Sequence, residues 1–126
     1  MPAKKSAPDF APVFAGLKKI LAPYAKAMVV VHDTPDYYCL NSTKSHPTNK
    51  QPMMFAWVRV GKNYVSYHYM PIYGAPVLLA SLSPALKRRM QGKACFNFTE
   101  VDEPLFAELA DVTARGLAGF KKLGFA

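Results

Sequence analysis

Two neighbouring segments of the chain, Met53–Val60 and Asn63–Met70, are rich in β-branched and aromatic residues and are separated by only two residues. Gly61-Lys62 between them suits a two-residue hairpin turn with glycine in the first position. A turn this tight joins antiparallel strands and fixes their register. The sequence therefore predicts an antiparallel hairpin in which Val60 lies opposite Asn63.

Helical patterns lie near both ends of the chain. After Asp9, which can cap a helix, apolar residues recur at helical spacing until Pro23, which disfavours the helical conformation of the residue before it. Asp102 is followed by a second apolar stripe that runs to Phe120. These patterns predict a first helix that ends at Ala22 and a final helix that begins after Asp102.

Shorter elements are expected between these. A short helix is predicted over Pro76–Leu82, and Ser83 with Pro84 forms the start of another, for which Gly92 stands where a C′ glycine belongs. The stretch Asn41–Gln51 is polar and has no period, which predicts a long loop. Three further strands are predicted from β-rich composition: Lys26–His32, Tyr37–Leu40 and Ala94–Phe98.

The order of these elements indicates the fold class. Strands that follow one another, with helices at the two ends, are typical of α+β proteins and not of alternating parallel folds. A chain of 126 residues fits one domain. We therefore expect a flexible N-terminal tail over residues 1–8 and a single α+β domain over residues 9–126, with a sheet of about five strands.

The composition indicates in which cellular compartment the protein acts and what kind of partner it binds. No segment approaches the roughly 20 apolar residues that span a bilayer, and the first residues do not form a secretory signal. Cys39 and Cys95 have no metal or redox spacing and are expected to be buried free thiols in a reducing compartment. The sequence therefore favours a cytoplasmic protein without a membrane partner, and its formal net charge of +8 favours anionic ligands.

A family resemblance is carried by three segments of the second half. They are Gly61-Lys62 with Tyr64–Pro71, Gly92–Phe98, and the closing helix from Asp102. Together they resemble the YdhG-like family, a bacterial domain of unknown function, over roughly residues 53–120, about half the chain. The resemblance implies an α+β fold built on a curved antiparallel sheet flanked by N-terminal and C-terminal helices.

One branch of that family is described as frataxin-like and handles iron, so the resemblance also implies metal handling as an alternative function. Iron chaperones of that type present an acidic surface, whereas this chain is basic. The local candidates for metal ligands are His32, Asp33 and Asp36, with His46 from the polar loop. Because aspartate is common in turns for its own reasons, we expect a turn here and assign no metal site or cofactor.

The predicted hairpin offers a candidate ligand site. With a turn at Gly61-Lys62, one strand face carries mostly aliphatic residues, and the other carries aromatic and polar ones from Met53 and Phe55 onwards. Aromatic walls with a few convergent polar groups are typical of small-ligand pockets. We therefore predict a site for a small anionic or aromatic molecule, with Arg59 binding an anionic group and Trp57 stacking. The ligand-binding residues predicted on this face are Trp57, Arg59, Tyr64 and His68.

Other roles for this face and this charge stay open at the level of sequence. A helix could cover the mixed face, with Arg59 stacked on Tyr64 at the rim. The domain could also pair with itself or with an acidic protein surface without binding a small ligand. Nucleic acid is not favoured, because the three bases of Lys87-Arg88-Arg89 extend round a helical turn and form no single face.

The sequence carries no catalytic signature. It has no Gly-x-Ser-x-Gly nucleophile turn, no phosphate-binding loop and no Gly-x-Gly-x-x-Gly fingerprint. A cysteine with His68 is the one conceivable nucleophile and base, and no spacing selects it. The sequence therefore favours a binding role over an enzymatic one and predicts no catalytic residues.

Overall fold

A computed structural model of the chain describes residues 10–45, 50, 52–74, 76–92 and 94–122. Six strands form one antiparallel sheet in the order β1-β2-β3-β4-β6-β5. The strands are β1 Val29–Thr34, β2 Tyr37–Ser45, β3 Pro52–Val60, β4 Val65–Tyr69, β5 Met90–Gln91 and β6 Cys95–Phe98. The helices are α1 Ala11–Leu21, α2 Pro76–Ala80, α3 Pro84–Lys87 and α4 Glu103–Lys122, with 3-10 segments at Ala22–Ala27 and Met70–Gly74.

The α+β class is confirmed, with a curved antiparallel sheet and helices from both ends of the chain. The sheet has six strands where about five were expected, because Met90–Gln91 pairs with β6 as a short outer strand. Gly92 has a φ of +75° and lies in the turn between these strands, so its prediction as the end of a helix is wrong. Residues 1–8 lie outside the described part of the chain.

The helix boundaries follow from local chemistry. α1 ends at Leu21, next to the predicted position, and the chain continues as a 3-10 segment. The Ser83 hydroxyl accepts the Leu86 N–H at 3.1 Å, and Asp102 Oδ1 accepts the Leu105 N–H at 3.1 Å. The predicted caps at Ser83 and Asp102 are confirmed, since each satisfies a backbone donor that the first turn leaves unpaired. The third predicted cap, Asp9, lies outside the described residues, and Phe10 stands at the N-cap of α1.

The turn of the central hairpin differs from the predicted one. Val60 lies opposite Val65, and the Gly61 N–H donates to the Tyr64 carbonyl at 2.8 Å. The strands are therefore joined by four residues, none of them with a positive φ, and the two-residue turn at Gly61-Lys62 is wrong. The register moves by two residues, an even number, so the strand faces next to the turn keep their predicted composition.

A β-bulge in β3 changes the faces further from the turn. Leu40 of β2 lies opposite Ala56, but the next residue, Asn41, lies opposite Met54, so Phe55 is the extra residue. A bulge inserts one residue and interrupts the alternation of sides. Phe55 and Met53 consequently lie in the hydrophobic core, and their predicted position on the mixed face is wrong.

The N-terminal half of the sheet is longer than predicted. β2 continues to Ser45, so the predicted loop over Asn41–Gln51 is a strand for its first residues, while 46–49 and 51 lie outside the described part. β1 begins at Val29 and ends at Thr34, later than the predicted strand. A turn at Pro35 and Asp36 joins the two strands, within the predicted turn region.

The core lies between one face of the sheet and the helices α1 and α4. β4 shows the separation clearly, since Val65, Tyr67 and Tyr69 are buried while Ser66 and His68 are half-buried. The hydroxyls of Tyr67 and Tyr69 are satisfied by the side chain and carbonyl of Thr113 on α4. Burial raises the pKa of both tyrosines, so they stay protonated and join the sheet to α4.

Candidate functional site

The sheet face turned away from the helices, called the open face below, carries aligned side chains from all six strands. Each member of this line lies directly opposite the next one across a strand pair. Most of them are half-buried or exposed, which separates this face from the core. From β1 to β5 the line runs His32, Cys39, Trp57, His68, Cys95 and Gln91.

Four rings on the open face contact one another and form what we call the aromatic row: His32, Tyr37, Trp57 and His68. His32 and Tyr37 are stacked with centroids 4.4 Å apart, and Trp57 and His68 are stacked at 5.0 Å. Tyr37 meets Trp57 edge to face at 6.2 Å. Each stacked pair covers one face of both of its rings, so the four rings form a continuous row across β1 to β4.

A cluster of hydrogen bonds lies beside the aromatic row towards β5. The Ser66 hydroxyl donates to Asn97 Oδ1 at 2.7 Å, and Asn97 Nδ2 donates to Gln91 Oε1 at 2.8 Å. The Tyr64 hydroxyl donates to the same Gln91 oxygen at 3.0 Å. These side chains satisfy one another and fix the edge of the open face.

Several open cavities on the surface have similar volumes, ≈ 440 to ≈ 460 Å³, so volume alone does not identify a binding site. The one on the open face has ≈ 460 Å³. A second, of ≈ 440 Å³, contains Arg88 and Arg89 but also the Asp102 carboxylate that caps α4. The cavity on the open face is lined by Trp57, Arg59, Val60, Gly61, Lys62 and Ser66.

The charge of the open-face cavity is uncompensated. The Arg59 guanidinium lies over the Tyr37 ring, 5.5 Å from its centroid, and has no acidic partner among the described residues. Lys62 is exposed at the rim, and no carboxylate from the described part of the chain lines the cavity. Two cations, Arg59 and Lys62, therefore lie at one small space beside the indole of Trp57.

The four predicted ligand-binding residues are divided by the structure. Trp57 and Arg59 line the cavity, whereas Tyr64 and His68 do not. The Tyr64 hydroxyl donates to Gln91, and the His68 ring stacks on the indole of Trp57. Lys62 and Ser66 complete the lining, and sequence reasoning missed Lys62 as a site residue because it assigned that residue to the turn.

His68 also contacts a thiol. Its Nδ1 lies 3.0 Å from Sγ of Cys95, the next member of the aligned side chains. Cys39 is buried as predicted, but Cys95 is only half-buried because it lies on the open face. Burial lowers the pKa of His68 and raises the pKa of Cys95. Both shifts favour the neutral forms, so the pair is a thiol beside an imidazole and not an activated thiolate.

The lowered pKa of His68 predicts a loss of stability in mild acid. In the unfolded chain His68 has its ordinary pKa of 6.5, so the unfolded chain binds the imidazole proton before the folded protein does. The stability contributed by neutral His68 is therefore full above pH 6.5 and is lost as the pH falls from 6.5 through the lower pKa of the folded state. Thermal melts across this window should show the loss, and His68→Gln should flatten it. An identical pH dependence in that variant would assign the effect to other groups.

The candidate metal ligands are each engaged elsewhere. Asp33 Oδ1 accepts a hydrogen bond from Lys18 Nζ at 2.8 Å, and Asp36 Oδ1 accepts one from the Thr34 hydroxyl at 2.8 Å. His32 is stacked in the aromatic row. Within the described ranges no three metal-ligating side chains come together, and His46 lies outside those ranges.

In comparisons with known proteins, the chain matches no family model, no curated protein and no solved structure. The similarity to the YdhG-like family stays a prediction from the quoted segments. As to membranes, none of the helices in the described residues combines the length and apolar character needed to cross a bilayer.

Proposed function

We propose that this protein is a small-ligand-binding domain whose open-face cavity receives the anionic group of its ligand. The observation that carries the proposal is Arg59, a guanidinium at a cavity with no counter-ion among the described residues. Lys62 adds a second cation, while the Ser66 hydroxyl is held by Asn97 and only lines the cavity. Guanidinium groups bind carboxylate and phosphate oxygens through charge-assisted hydrogen bonds, which are stronger than neutral ones.

The aromatic row determines how such a ligand is held. His68 covers one face of the Trp57 indole, and Tyr37 meets the indole edge to face. The edge of an aromatic ring carries partial positive charge, and the indole N–H is a donor. We infer that the ligand contacts Trp57 at its edge or stacks on the face that His68 leaves uncovered.

The cavity volume sets the size of the ligand. At ≈ 460 Å³ it falls within the range of roughly 300–1,000 Å³ that small-molecule sites occupy. The indole of Trp57 gives the cavity an apolar side, and Arg59 and Lys62 give it a cationic one. This division favours a small organic anion, with its charged group at Arg59 and its apolar part against the indole.

Loss of Arg59 should weaken anion binding by about 10- to 100-fold, since a hydrogen bond to a charged group contributes about 1.5–3 kcal/mol. Benzoate and inorganic phosphate are suitable probes, measured by calorimetry and by the rise in melting temperature. Arg115→Ala is the matched control, because it removes the same charge from an exposed ion pair on α4. If both variants bound the anions equally weakly, the loss of affinity would come from the lower net charge, and the site at Arg59 would be rejected.

Two broader inferences accompany this function. We propose a cytoplasmic location, supported by two cysteines that are free thiols in the structure. We also propose that the chain is related to the YdhG-like family. Iron handling, as in one branch of that family, gains no support here, because Asp33 and Asp36 are hydrogen-bonded to Lys18 and Thr34. If no anion binds, the alternative is a domain that acts only through contacts with other proteins.

A further inference from the structure

β1 is an outer strand of the sheet and exposes an unusual amount of apolar surface. All six of its residues are exposed. Its valines Val29, Val30 and Val31 have 49%, 43% and 44% of their surface in contact with solvent. Three successive exposed valines on an edge strand form the kind of surface that natural proteins usually break with a charge or a proline.

The backbone of β1 is available as well. Among the described residues β1 pairs with β2 and with no other strand, so the N–H and C=O groups on its outer side have no strand partner. The register shift between Val30 and His32 makes Val31 a bulge and interrupts the strand at that residue only. The other outer strand, β5, has two residues and offers little edge.

We propose that β1 pairs antiparallel with β1 of a second copy of this chain. The charges at the two ends of the strand favour this partner and this direction. Lys26 precedes β1 and Asp36 follows it, both exposed, and Lys26 has no partner among the described residues. Antiparallel pairing about a two-fold axis places the basic end of each strand beside the acidic end of the other.

The same symmetry fixes how the two open faces lie. Antiparallel edge pairing continues the sheet, so the two six-stranded sheets become one sheet of twelve strands with both open faces on the same side. His32, on the open face of β1, would then lie near the junction in both copies. The pairing extends the binding surface without using the cavity at Arg59, so it stands independently of the proposed function.

Mass in solution is the direct test. Light scattering after gel filtration, from micromolar to millimolar protein, should show a mass approaching twice 13.9 kDa. Physiological ionic strength is suitable because it screens charges more than about 8 Å apart, including the net repulsion between two copies. Val30→Lys should give a monomer, whereas Val101→Lys, a valine with the same 43% exposure, should dimerise as the wild type does.

Charge variants test the direction of the pairing. Lys26→Asp gives two acidic strand ends and Asp36→Lys gives two basic ones, so each should weaken its own dimer by about tenfold through the loss of two exposed ion pairs. A mixture of the two variants should form a heterodimer, because every acidic end then meets a basic one. Native mass spectrometry distinguishes it from the homodimers by mass. Dimers unaffected by either variant would overturn the antiparallel arrangement.

Other occupants of the edge are separate outcomes. A wild-type mass of 13.9 kDa at every concentration overturns the proposal. Hydrogen exchange of the β1 amides then separates two explanations. Slow exchange in the monomer would show that another segment of the same chain covers the edge, and fast exchange would leave it for a different protein.

Discussion

Replacement of Phe55 with alanine should lower the free energy of unfolding by about 3–5 kcal/mol, the range found when a buried phenylalanine is truncated to alanine. Phe55 has no exposed surface. Its ring contacts Tyr24, Tyr69 and Phe120 with centroids 5.8, 5.5 and 6.1 Å apart. The substitution therefore removes the centre of an aromatic cluster that joins β3 to the helices. Urea unfolding followed by circular dichroism measures the loss.

Trp57→Ala is the matched control for this variant. Trp57 is also an aromatic residue of β3, two positions further on, but it lies half-buried on the open face. Its loss should destabilise the fold clearly less, because part of the indole is already in water. If the two variants lost equal stability, Phe55 and Trp57 would share a face, and the bulge would be refuted.

That contrast shows where sequence reasoning about the sheet succeeds and where it fails. Val58, Val65 and Tyr67 lie on the core face as predicted although the turn was placed wrongly. An error of two residues in register leaves every side chain on its own face, whereas an error of one reverses them all. Face composition near the turn was thus predictable even without the correct register.

The bulge was not predictable in the same way. Met53, Phe55 and Trp57 occupy alternate positions and are all large and apolar, so the pattern gives no sign of where the alternation is interrupted. The position is decided by tertiary contacts, chiefly the aromatic cluster around Phe55, and by the shift in pairing between β2 and β3. Neither these tertiary contacts nor the shift in pairing can be read from the sequence of β3 alone.

The candidate site was predictable only within the hairpin. Trp57 and Arg59 share a strand, and alternation alone places them together. Cys95 and Asn97 reach the same face through the pairing of β6 with β4, and His32 through the pairing of β1 with β2. No spacing in the sequence reports these contacts, because they depend on the strand order of the whole sheet. The aligned side chains on the open face are therefore a result of topology.

Gly116→Ala should destabilise the protein by about 1–3 kcal/mol, the usual effect of overpacking a core. Helix propensity alone predicts the opposite, a gain of about 1 kcal/mol for alanine over glycine within a helix. The packing term dominates because a Cβ at this position would lie 2.7 Å from Cε2 of Tyr69 and clash with its hydroxyl. That ring cannot easily move, since its hydroxyl donates to the Thr113 carbonyl at 2.6 Å and Phe55 packs against it.

Gly119→Ala on the same helix isolates the two effects. Gly119 is exposed, and a Cβ there would meet nothing within 4 Å, so only helix propensity acts and stability should rise by about 0.5–1 kcal/mol. Opposite signs for the two variants, measured by urea unfolding, would show that Gly116 is required for the close approach of α4 to the sheet. A gain at both positions would instead mean that Tyr69 moves aside, and with it the hydrogen bond that joins β4 to α4.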